Sequence, residues 1–178
     1  MTELATTLVL GGARSGKSAL AERLVAGSGL ARIYLATATA DDEEMKARIA
    51  HHRAQRGEGW TTIEEPLALV DALTREATHG RAVLVDCLTL WLSNLMLAGR
   101  DPEIEARRLT RFLGVARYPV IFVSNEVGLG LVPETPLGRR FRDAQGRLNQ
   151  IMAACVPDVV FIAAGLPLWL KRSSLQEN

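Results

Sequence analysis

The sequence predicts an α/β domain in which a mostly parallel β-sheet carries helices on both faces. Short runs rich in Val, Ile and Leu recur along the chain, and longer segments with the period of amphipathic helices separate them. This alternation is typical of crossover units, which join parallel strands. The chain has 178 residues, a length that favours a single domain over residues 1–178. Its residues are 48% hydrophobic and 23% charged, a composition that fills a core and excludes a largely disordered chain.

The order of the elements follows from the changes of period along the chain. Apolar runs predict strands at 6–10, 31–36, 81–86, 119–124 and 158–163. Two less regular runs, 60–64 and 168–170, are further candidate strands. Several helical segments begin with Pro or an acidic residue, as helices commonly do, and the predicted helices are 17–26, 41–56, 66–77, 88–97, 102–117 and 137–154. The long loop 125–136 has the length at which loops of compact domains are usually functional.

Charge and hydropathy exclude several classes of protein. Lys and Arg number 21 and Asp and Glu number 20, a net charge of +1, so no overall positive field draws the chain to nucleic acid. The longest apolar stretch, 159–170, is interrupted by Gly165 and Pro167 and is too short to span a bilayer. Two cysteines make no disulfide framework and the first residues lack signal-peptide features, so we expect a cytoplasmic protein.

A glycine-rich turn between the first strand and the first helix is the strongest functional signal. It fits the pattern G-x-x-x-x-G-K-[ST] with Gly11, Gly12, Ala13, Arg14, Ser15, Gly16, Lys17 and Ser18. In such a P-loop, backbone N–H groups and the helix N-terminus hold nucleotide phosphates, Lys17 reaches the β- and γ-phosphates and Ser18 ligates Mg²⁺. We therefore predict a P-loop NTPase-type, RecA-like fold with Lys17 as a catalytic residue. A glycine-rich turn with a chance Lys-Ser pair is the alternative.

A second acidic partner for the metal is expected at the end of a neighbouring parallel strand. Asp86 ends the apolar run 81–86 and fits this position. Its alternative role is to cap the helix that follows. The sequence contains no Asn-Lys-x-Asp element for reading guanine, which argues against a GTPase switch.

Two adjacent histidines, His51 and His52, lie in a predicted helix. Adjacent helical side chains point about 100° apart, so only one of the two shares the face of Met45 and Ile49, and that one is His52. A neutral imidazole near Arg53 and a triphosphate site has the chemistry to attack phosphorus. A surface or structural role for both histidines is the alternative.

These motifs together resemble one enzyme family over essentially the whole chain. They are 11–18, Ala36-Thr37, Asp42-Glu43-Glu44-Met45, Arg48-Ile49, His51-His52, Asn125-Glu126-Val127-Gly128, Gly130, Val132-Pro133 and Phe141-Arg142-Asp143. The family is that of the bifunctional adenosylcobinamide kinases/adenosylcobinamide-phosphate guanylyltransferases of cobalamin biosynthesis. The resemblance implies that ATP or GTP phosphorylates the aminopropanol hydroxyl of adenosylcobinamide. It also implies that GMP is then transferred from GTP to that phosphate.

The resemblance also implies residue roles. His52 would form the guanylyl-histidine intermediate, with His51 as the alternative, and Ser18 and Asp86 would hold Mg²⁺. Asp86 departs from members of the family that carry Glu at this position, which leaves its reach in question. Beyond the P-loop residues 11–18, the implied nucleotide contacts are Ala36, Thr37, Ala38, Arg53, Ala54, Gln55, Arg56, Glu64 and Asp86.

Other segments have more than one interpretation. The segment 125–141 is expected to face the corrinoid, and within it Glu126 is either a general base or a cap. A basic cluster on the last helix either binds substrate or forms a solvated face, and consists of Arg139, Arg140, Arg142 and Arg147. An apolar cluster at helical spacing favours core packing or a subunit interface over corrin stacking, and consists of Trp91, Leu92, Leu95 and Met96.

The expected partners are GTP or ATP and adenosylcobinamide or its phosphate, and the resemblance implies a homotrimer. Two other functions stay open. One is a single-step P-loop small-molecule kinase in which the histidines are structural. The other is a GTP-binding regulatory module.

Overall fold

A computed structural model describes residues 4–39, 43, 54 and 56–173. Within this part of the chain seven strands form one sheet in the order β3-β2-β4-β5-β1-β6-β7. The strands are β1 (Thr7–Gly11), β2 (Ala31–Ala36), β3 (Trp60–Glu64), β4 (Arg81–Asp86), β5 (Val120–Asn125), β6 (Asp158–Ala163) and β7 (Leu166–Lys171). Neighbouring strands are parallel except for β7, which pairs antiparallel with β6.

Helices cover both faces of the sheet. Those formed entirely by described residues are α1 (Lys17–Ala26), α2 (Leu69–Glu76), α3 (Leu88–Leu97), α4 (Pro102–Val115) and α5 (Pro136–Cys155). Helix α1 packs on one face through Ala21 and Val25, and the other four pack on the opposite face. The predicted mostly parallel sheet with helices on both faces is confirmed.

The central strands are apolar along their whole length because both faces of the sheet are covered. In β5 the side chains of Ile121 and Val123 enter the core on the α1 face, whereas Val120 and Phe122 enter the opposite core. This alternation fixes which face each residue at the end of the strand occupies, and the functional residues lie at those ends.

Most predicted strands and helices match the structure within one residue. Strands 31–36, 81–86 and 158–163 and the candidate strand 60–64 have the predicted bounds, while β1 and β5 each begin and end one residue later. Candidate strand 168–170 is longer than predicted, since it pairs with β6 over Leu166–Lys171. The predicted helix 41–56 lies mostly outside the described residues, of which Glu43, Ala54 and Arg56 are helical.

Two helix boundaries differ for local reasons. The predicted helix 66–77 begins only at Leu69, because the Glu65 carboxylate accepts hydrogen bonds from the N–H groups of Leu67 and Ala68 and holds a turn there. The predicted helix 102–117 ends at Val115, after which the backbone is extended. The predicted helix 137–154 gains a residue at each end, and the Thr135 hydroxyl caps it by accepting from the N–H of Gly138.

Helix α3 contributes to the core. Trp91, Leu92 and Leu95 are buried, and the Trp91 indole N–H donates to the Leu67 carbonyl at 3.0 Å. Met96 packs against the same core and is partly buried. These four residues therefore serve core packing, the first of the two roles that their spacing favours. No described helix is long and apolar enough to cross a membrane.

Candidate active site

The P-loop connects β1 to α1 at the carboxyl edge of the sheet. Gly16 precedes the helix with φ 97°, a left-handed conformation that glycine adopts without strain, and no side chain caps the helix. The first N–H groups of α1 are thus presented to an anion rather than to a side chain of the protein. This is the geometry that the sequence motif predicts.

The loop is tightly packed on its inner side. A Cβ atom on Gly11 would lie 2.5 Å from Ser15 Oγ and 2.7 Å from the Ile162 carbonyl oxygen. The Ser15 carbonyl accepts a hydrogen bond of 2.9 Å from the N–H of Gly165, in the turn between β6 and β7. The P-loop is therefore held by the hairpin at the end of the sheet as well as by β1.

Lys17 lies inside the loop. Its Nζ donates to the Gly12 carbonyl at 2.9 Å, and its charge lies close enough to Cys87 to lower the pKa of that thiol. Burial outweighs this effect and raises the pKa of Cys87 to about 12. Lys17 is the first residue of α1, and α1 packs on the same sheet face as Leu84 of β4, so the lysine and the end of β4 share that face.

Asp86 reaches this face from β4. The sequence predicts that this strand lies next to β1, and that prediction is wrong, because β5 lies between β1 and β4. Nor does Asp86 cap the next helix: the residue at the cap of α3 is Cys87, and it makes no side-chain capping bond. The Asp86 carboxylate instead accepts a hydrogen bond of 3.0 Å from the Tyr34 hydroxyl.

Tyr34 is the centre of a cluster that the sequence did not indicate. The Arg56 guanidinium carbon lies 3.3 Å from the centroid of the Tyr34 ring and 5.8 Å from that of the Trp60 ring. Its Nη2 donates to Thr62 Oγ1 at 3.3 Å. In α1, burial raises the pKa of the Glu22 carboxyl group. The positive charge of Arg56 opposes this shift, and the negative charge of Asp86 adds to it. Tyr34 stands in an ordinary apolar strand pattern, so no sequence signal separated it from a core residue.

The ends of β2, β3 and β4 bring three predicted site residues side by side. In the strand register Ala36 pairs with Glu64 on one side and with Asp86 on the other. Glu64 is exposed, and Ala38 beyond the strand is half-buried. The register thus gathers the acidic groups of two strands at one edge.

Thr37 is fully buried and its polar groups are all engaged. Its hydroxyl donates to the Cys87 carbonyl at 2.7 Å and accepts from the Cys87 N–H at 2.8 Å. Its N–H donates to the Asp86 carbonyl, and its own carbonyl accepts from Asn94 Nδ2. A nucleotide contact from Thr37 would require one of these bonds to be exchanged.

The predicted nucleophile, His52, lies outside the described residues. The same holds for His51, Arg53 and Gln55. Ala54 is helical and exposed, and Arg56 is fixed on Tyr34. The segment that carries the histidines is therefore attached to the α1 face of the sheet, on which Asp86 lies, at its Arg56 end.

The loop after β5 lies beside the P-loop. The N–H of Glu126 donates to the Gly11 carbonyl at 3.1 Å, and the Glu126 carboxylate accepts from the Gly128 N–H at 2.6 Å. The hydrogen bond from Gly128 fits the role of a local cap, which was one of the two roles predicted for Glu126. Arg139 holds the same loop by donating to the carbonyls of Pro133 and Glu134.

The other members of the basic cluster differ from Arg139 in their surroundings. Arg142 lies 3.7 Å from Asp143, a loose ion pair, and Arg140 and Arg147 are exposed. Arg139 is thus used to shape the loop, whereas Arg140 and Arg147 present their charge to solvent.

Two grooves flank the described part of the molecule. One of about 670 Å³ lies between α2 and α4 and includes Arg108, Arg111 and Arg117, but it is at the amino edge of the sheet, opposite the P-loop. The other, of about 280 Å³, lies between α3 and the start of α5 and is lined by Met96, Leu97, Leu137 and Phe141 among others. Only the second adjoins the loop 125–136.

The oxygen groups on the α1 face fit Mg²⁺. This ion prefers oxygen ligands and usually takes only one or two from protein, with phosphate and water oxygens completing its shell. The hydroxyl of Ser18 in the first turn of α1 and the Asp86 carboxylate provide such groups, and Tyr34 engages only Oδ2 of Asp86. Among the described residues, no group of three or more His, Cys, Asp or Glu side chains could hold a metal without a nucleotide.

Solved structures support the fold class. The chain resembles the flagellar accessory protein FlaH of Methanocaldococcus jannaschii with a TM-score of 0.54 and 14% identity, over 97% of this chain and 80% of that one. It resembles the RadB recombinase with a TM-score of 0.51 and 17% identity, over 89% and 74% of the two chains. A third similarity is to the P4 protein of bacteriophage phi6 in complex with ADP, with a TM-score of 0.51 and 16% identity, over 92% and 52%. These similarities confirm the predicted P-loop NTPase-type fold.

Sequence relatives identify the family. The chain is 54% identical over 170 residues to the bifunctional adenosylcobalamin biosynthesis protein CobP of Pseudomonas aeruginosa. The aligned region covers 94% of this chain and 98% of that protein. It is 38% identical over 179 residues to the CobU protein of the same description from Escherichia coli, over 92% and 98%. The family model described as cobinamide kinase / cobinamide phosphate guanyltransferase matches residues 7–170. The chain therefore belongs to the cobinamide kinase / cobinamide phosphate guanyltransferase family.

Proposed function

We propose that this protein catalyses two successive transfers in adenosylcobalamin biosynthesis. It phosphorylates the aminopropanol hydroxyl of adenosylcobinamide and then transfers GMP from GTP to the resulting phosphate, which gives adenosylcobinamide-GDP. The observation that carries the proposal is a P-loop whose Lys17 lies on the same sheet face as Asp86, in a chain 54% identical to a bifunctional adenosylcobalamin biosynthesis protein.

The first transfer uses the P-loop and the carboxyl edge of the sheet. The uncapped N-terminus of α1 binds the phosphates, and Lys17 exchanges its bond to the Gly12 carbonyl for the β- and γ-phosphates. Ser18 and Asp86 would hold the Mg²⁺ that enters with ATP or GTP. When bound, this ion supplies positive charge to the phosphate oxygens as negative charge develops there.

The second transfer uses the histidine pair. A nitrogen of His52 forms a bond to the α-phosphorus of GTP, while the bond from that phosphorus to the α,β-bridging oxygen breaks and pyrophosphate leaves with the electron pair. An oxygen of the substrate phosphate then attacks the same phosphorus and releases the histidine. His51 is the alternative nucleophile. The anchor of Arg56 on Tyr34 supports this proposal, since it ties the segment to the sheet close to Asp86.

The loop after β5 suits a large, partly apolar substrate. Leu129 and Leu131 are 84% and 96% exposed, and Val132 and Leu137 are exposed beside them. Exposed apolar side chains gathered on one loop commonly mark a binding site. The loop lies next to the P-loop, because Glu126 at its start bonds to Gly11.

We also propose that the protein is a homotrimer in the cytoplasm. Leu166, Leu168 and Leu170 are exposed on the edge strand β7, and oligomer contacts commonly cover apolar edges of this kind. Light scattering after size-exclusion chromatography measures the mass directly, and a monomer of 19.4 kDa at micromolar concentration would contradict the trimer.

The proposed function is tested by covalent labelling. The protein is incubated with Mg²⁺ and GTP labelled at the α-phosphorus, then denatured, and bound label is counted. We expect acid-labile, alkali-stable label that is lost in His52→Ala and retained in His51→Ala. His79→Ala is the matched control, because this third histidine is exposed and its ring packs against Tyr118 at the amino edge of the sheet.

Three results would contradict parts of the proposal. Loss of label in His51→Ala alone would move the nucleophile by one residue. A wild type that phosphorylates cobinamide from γ-labelled nucleotide but never takes up α-label would be a single-step kinase. Tight GTP binding without either transfer would indicate a regulatory module.

A further inference from the structure

Asn125 occupies a special place at the carboxyl edge of the sheet. It is the last residue of β5, the strand between β1 with its P-loop and β4 with Asp86, and it pairs in register with Gly11. Residues alternate between the faces along β5, and Ile121 and Val123 lie in the core on the α1 face. The side chain of Asn125 therefore belongs to the same face as Lys17 and the first turn of α1.

The side-chain oxygen of Asn125 has no partner. Its Oδ1 is buried and makes no hydrogen bond within the described part of the chain. A buried carbonyl oxygen that accepts no hydrogen bond destabilises the folded state, so such atoms are rare in folded proteins. Where one occurs, it commonly has a functional reason. No described residue uses this atom, which makes it a candidate contact for a ligand.

The backbone of the same residue is fixed on both sides. Its N–H donates to Thr89 Oγ1 at 2.8 Å, and its carbonyl accepts from Asn149 Nδ2 at 3.0 Å. Asn149 Oδ1 in turn accepts from the Ser124 hydroxyl at 2.7 Å and from Gln145 Nε2 at 2.9 Å. This buried network between α3, β5 and α5 holds the backbone of Asn125 in place, while no described residue forms a hydrogen bond with its side-chain amide. Such an arrangement is suited to presenting a side chain to a ligand.

The γ-phosphate is the part of the nucleotide that this position fits. The P-loop would enclose the inner phosphates at the N-terminus of α1, and Asp86 on β4 would help to hold a metal whose positive charge attracts the outer ones. The terminal phosphate would then lie between β1 and β4, at the end of β5. A carboxamide has a donor and an acceptor side by side, so one such group can contact a phosphate oxygen and a hydroxyl together.

We propose that the Asn125 carboxamide is a catalytic contact of the kinase step, in which its N–H donates to a γ-phosphate oxygen and its Oδ1 accepts from the substrate hydroxyl. This inference rests on the proposed function. The hydroxyl oxygen forms a bond to the γ-phosphorus, and the bond from that phosphorus to the β,γ-bridging oxygen breaks with its electron pair on the departing nucleoside diphosphate. The hydroxyl proton passes to an oxygen of the transferred phosphate, because an amide aligns the hydroxyl and does not remove its proton.

The test separates the two transfers. Asn125→Ala removes both contacts, and Asn125→Asp keeps the shape but replaces the donor with a negative charge facing the phosphate. For both variants we expect the kcat of cobinamide phosphorylation to fall about 100-fold, as when one preorganised donor is removed from an active site. In Asn125→Ala the KM for nucleotide and the α-label on histidine should stay within about threefold of wild type, since the second transfer uses no acceptor hydroxyl. In Asn125→Asp the KM for nucleotide should rise as well, because the added negative charge repels the phosphate.

Ser124→Ala is the matched control. Ser124 is the preceding residue and is fully buried, but it faces α5 and the Asn149 network instead of the P-loop. Asn149 Nδ2 can still donate to the Asn125 carbonyl in this variant, so we expect a lower melting temperature and a kinase kcat that falls much less than in Asn125→Ala.

Two outcomes would overturn the inference alone. In the first, wild type phosphorylates cobinamide and Asn125→Ala does so at the same rate. In the second, Asn125→Ala loses phosphorylation, histidine labelling and nucleotide affinity in parallel. That result would show that Asn125 has a structural role and no specific part in the kinase step. A wild type that never phosphorylates cobinamide would overturn the kinase half of the proposed function, and the inference with it.

Discussion

The hydroxyl of Tyr34 donates a hydrogen bond of 3.0 Å to Oδ2 of Asp86 and thereby orients the carboxylate proposed to hold Mg²⁺. Burial is the main cause that raises the pKa of Tyr34, followed by the negative charge of Asp86. Tyr34 therefore remains a protonated donor throughout the physiological pH range. The same ring supports the Arg56 guanidinium, so one side chain contacts both the proposed metal ligand and the end of the histidine segment.

Tyr34→Phe removes this hydrogen bond and keeps the ring under Arg56. Asp86 is partly exposed, so we expect the free energy of unfolding in urea to fall by only about 1 kcal/mol, less than for a fully buried charged partner. The affinity for Mg²⁺-nucleotide should also fall, because the carboxylate is no longer oriented. Tyr118→Phe, away from the site, is the control, and equal effects of the two substitutions would refute a specific role for the Tyr34 hydroxyl.

Asp86→Asn keeps an oxygen that can accept from Tyr34 but removes the negative charge from the proposed metal site. We expect a Mg²⁺ requirement about 10- to 100-fold higher, measured by titrating Mg²⁺ in the kinase assay. Asp86→Glu should retain most of the activity, because it restores the charge with one added methylene. An unchanged Mg²⁺ dependence in Asp86→Asn would show that the metal is held elsewhere.

Gly11→Ala places a methyl group where Ser15 Oγ and the Ile162 carbonyl leave no room. We expect it to lower the free energy of unfolding by about 1 to 3 kcal/mol and to weaken nucleotide binding, because the loop must shift. Gly12→Ala is a close control for stability, since no atom lies within 4 Å of a Cβ built there. Similar stability for the two variants would contradict the steric argument.

The two cysteines should differ in reactivity. Cys87 is buried with its pKa raised to about 12, whereas Cys155 is exposed. A thiol reagent at pH 8 should modify one thiol per chain quickly and the second only after unfolding. Fast modification of two thiols in the native protein, or continued fast modification in Cys155→Ser, would contradict the burial of Cys87.

The same raised pKa predicts alkaline destabilisation. In the unfolded chain the Cys87 thiol loses its proton near its ordinary value of 9.0, while the folded chain retains the proton until about pH 12. Between these values the unfolded state binds fewer protons, so the free energy of unfolding falls as pH rises, by at most about 1.4 kcal/mol per pH unit from this group. In Cys87→Ala this contribution should vanish, which urea unfolding at pH 9 and 10.5 would detect by comparison with wild type.

The sequence was most informative where local pattern decides structure. Strands such as 31–36 and 81–86 are apolar runs between turns, and the P-loop is a continuous motif, so both could be predicted. The order of the strands depends on distant pairing, which is why the insertion of β5 between β1 and β4 was not foreseen. Tyr34 gains its importance from Asp86, 52 residues further along the chain, and Asn125 from Gly11, 114 residues before it. No local pattern records such contacts.

The bond from Gly165 to Ser15 has a consequence for synthesis on the ribosome. The P-loop lies near the start of the sequence, but its shape depends on β6 beside β1 and on the turn that follows β6. A nascent chain from which residues 158–171 have not yet emerged lacks Ile162 beside Gly11 and the Gly165 N–H that donates to Ser15. The ability to bind a nucleotide is thus acquired only after residues 158–171 have emerged and β6 has joined β1.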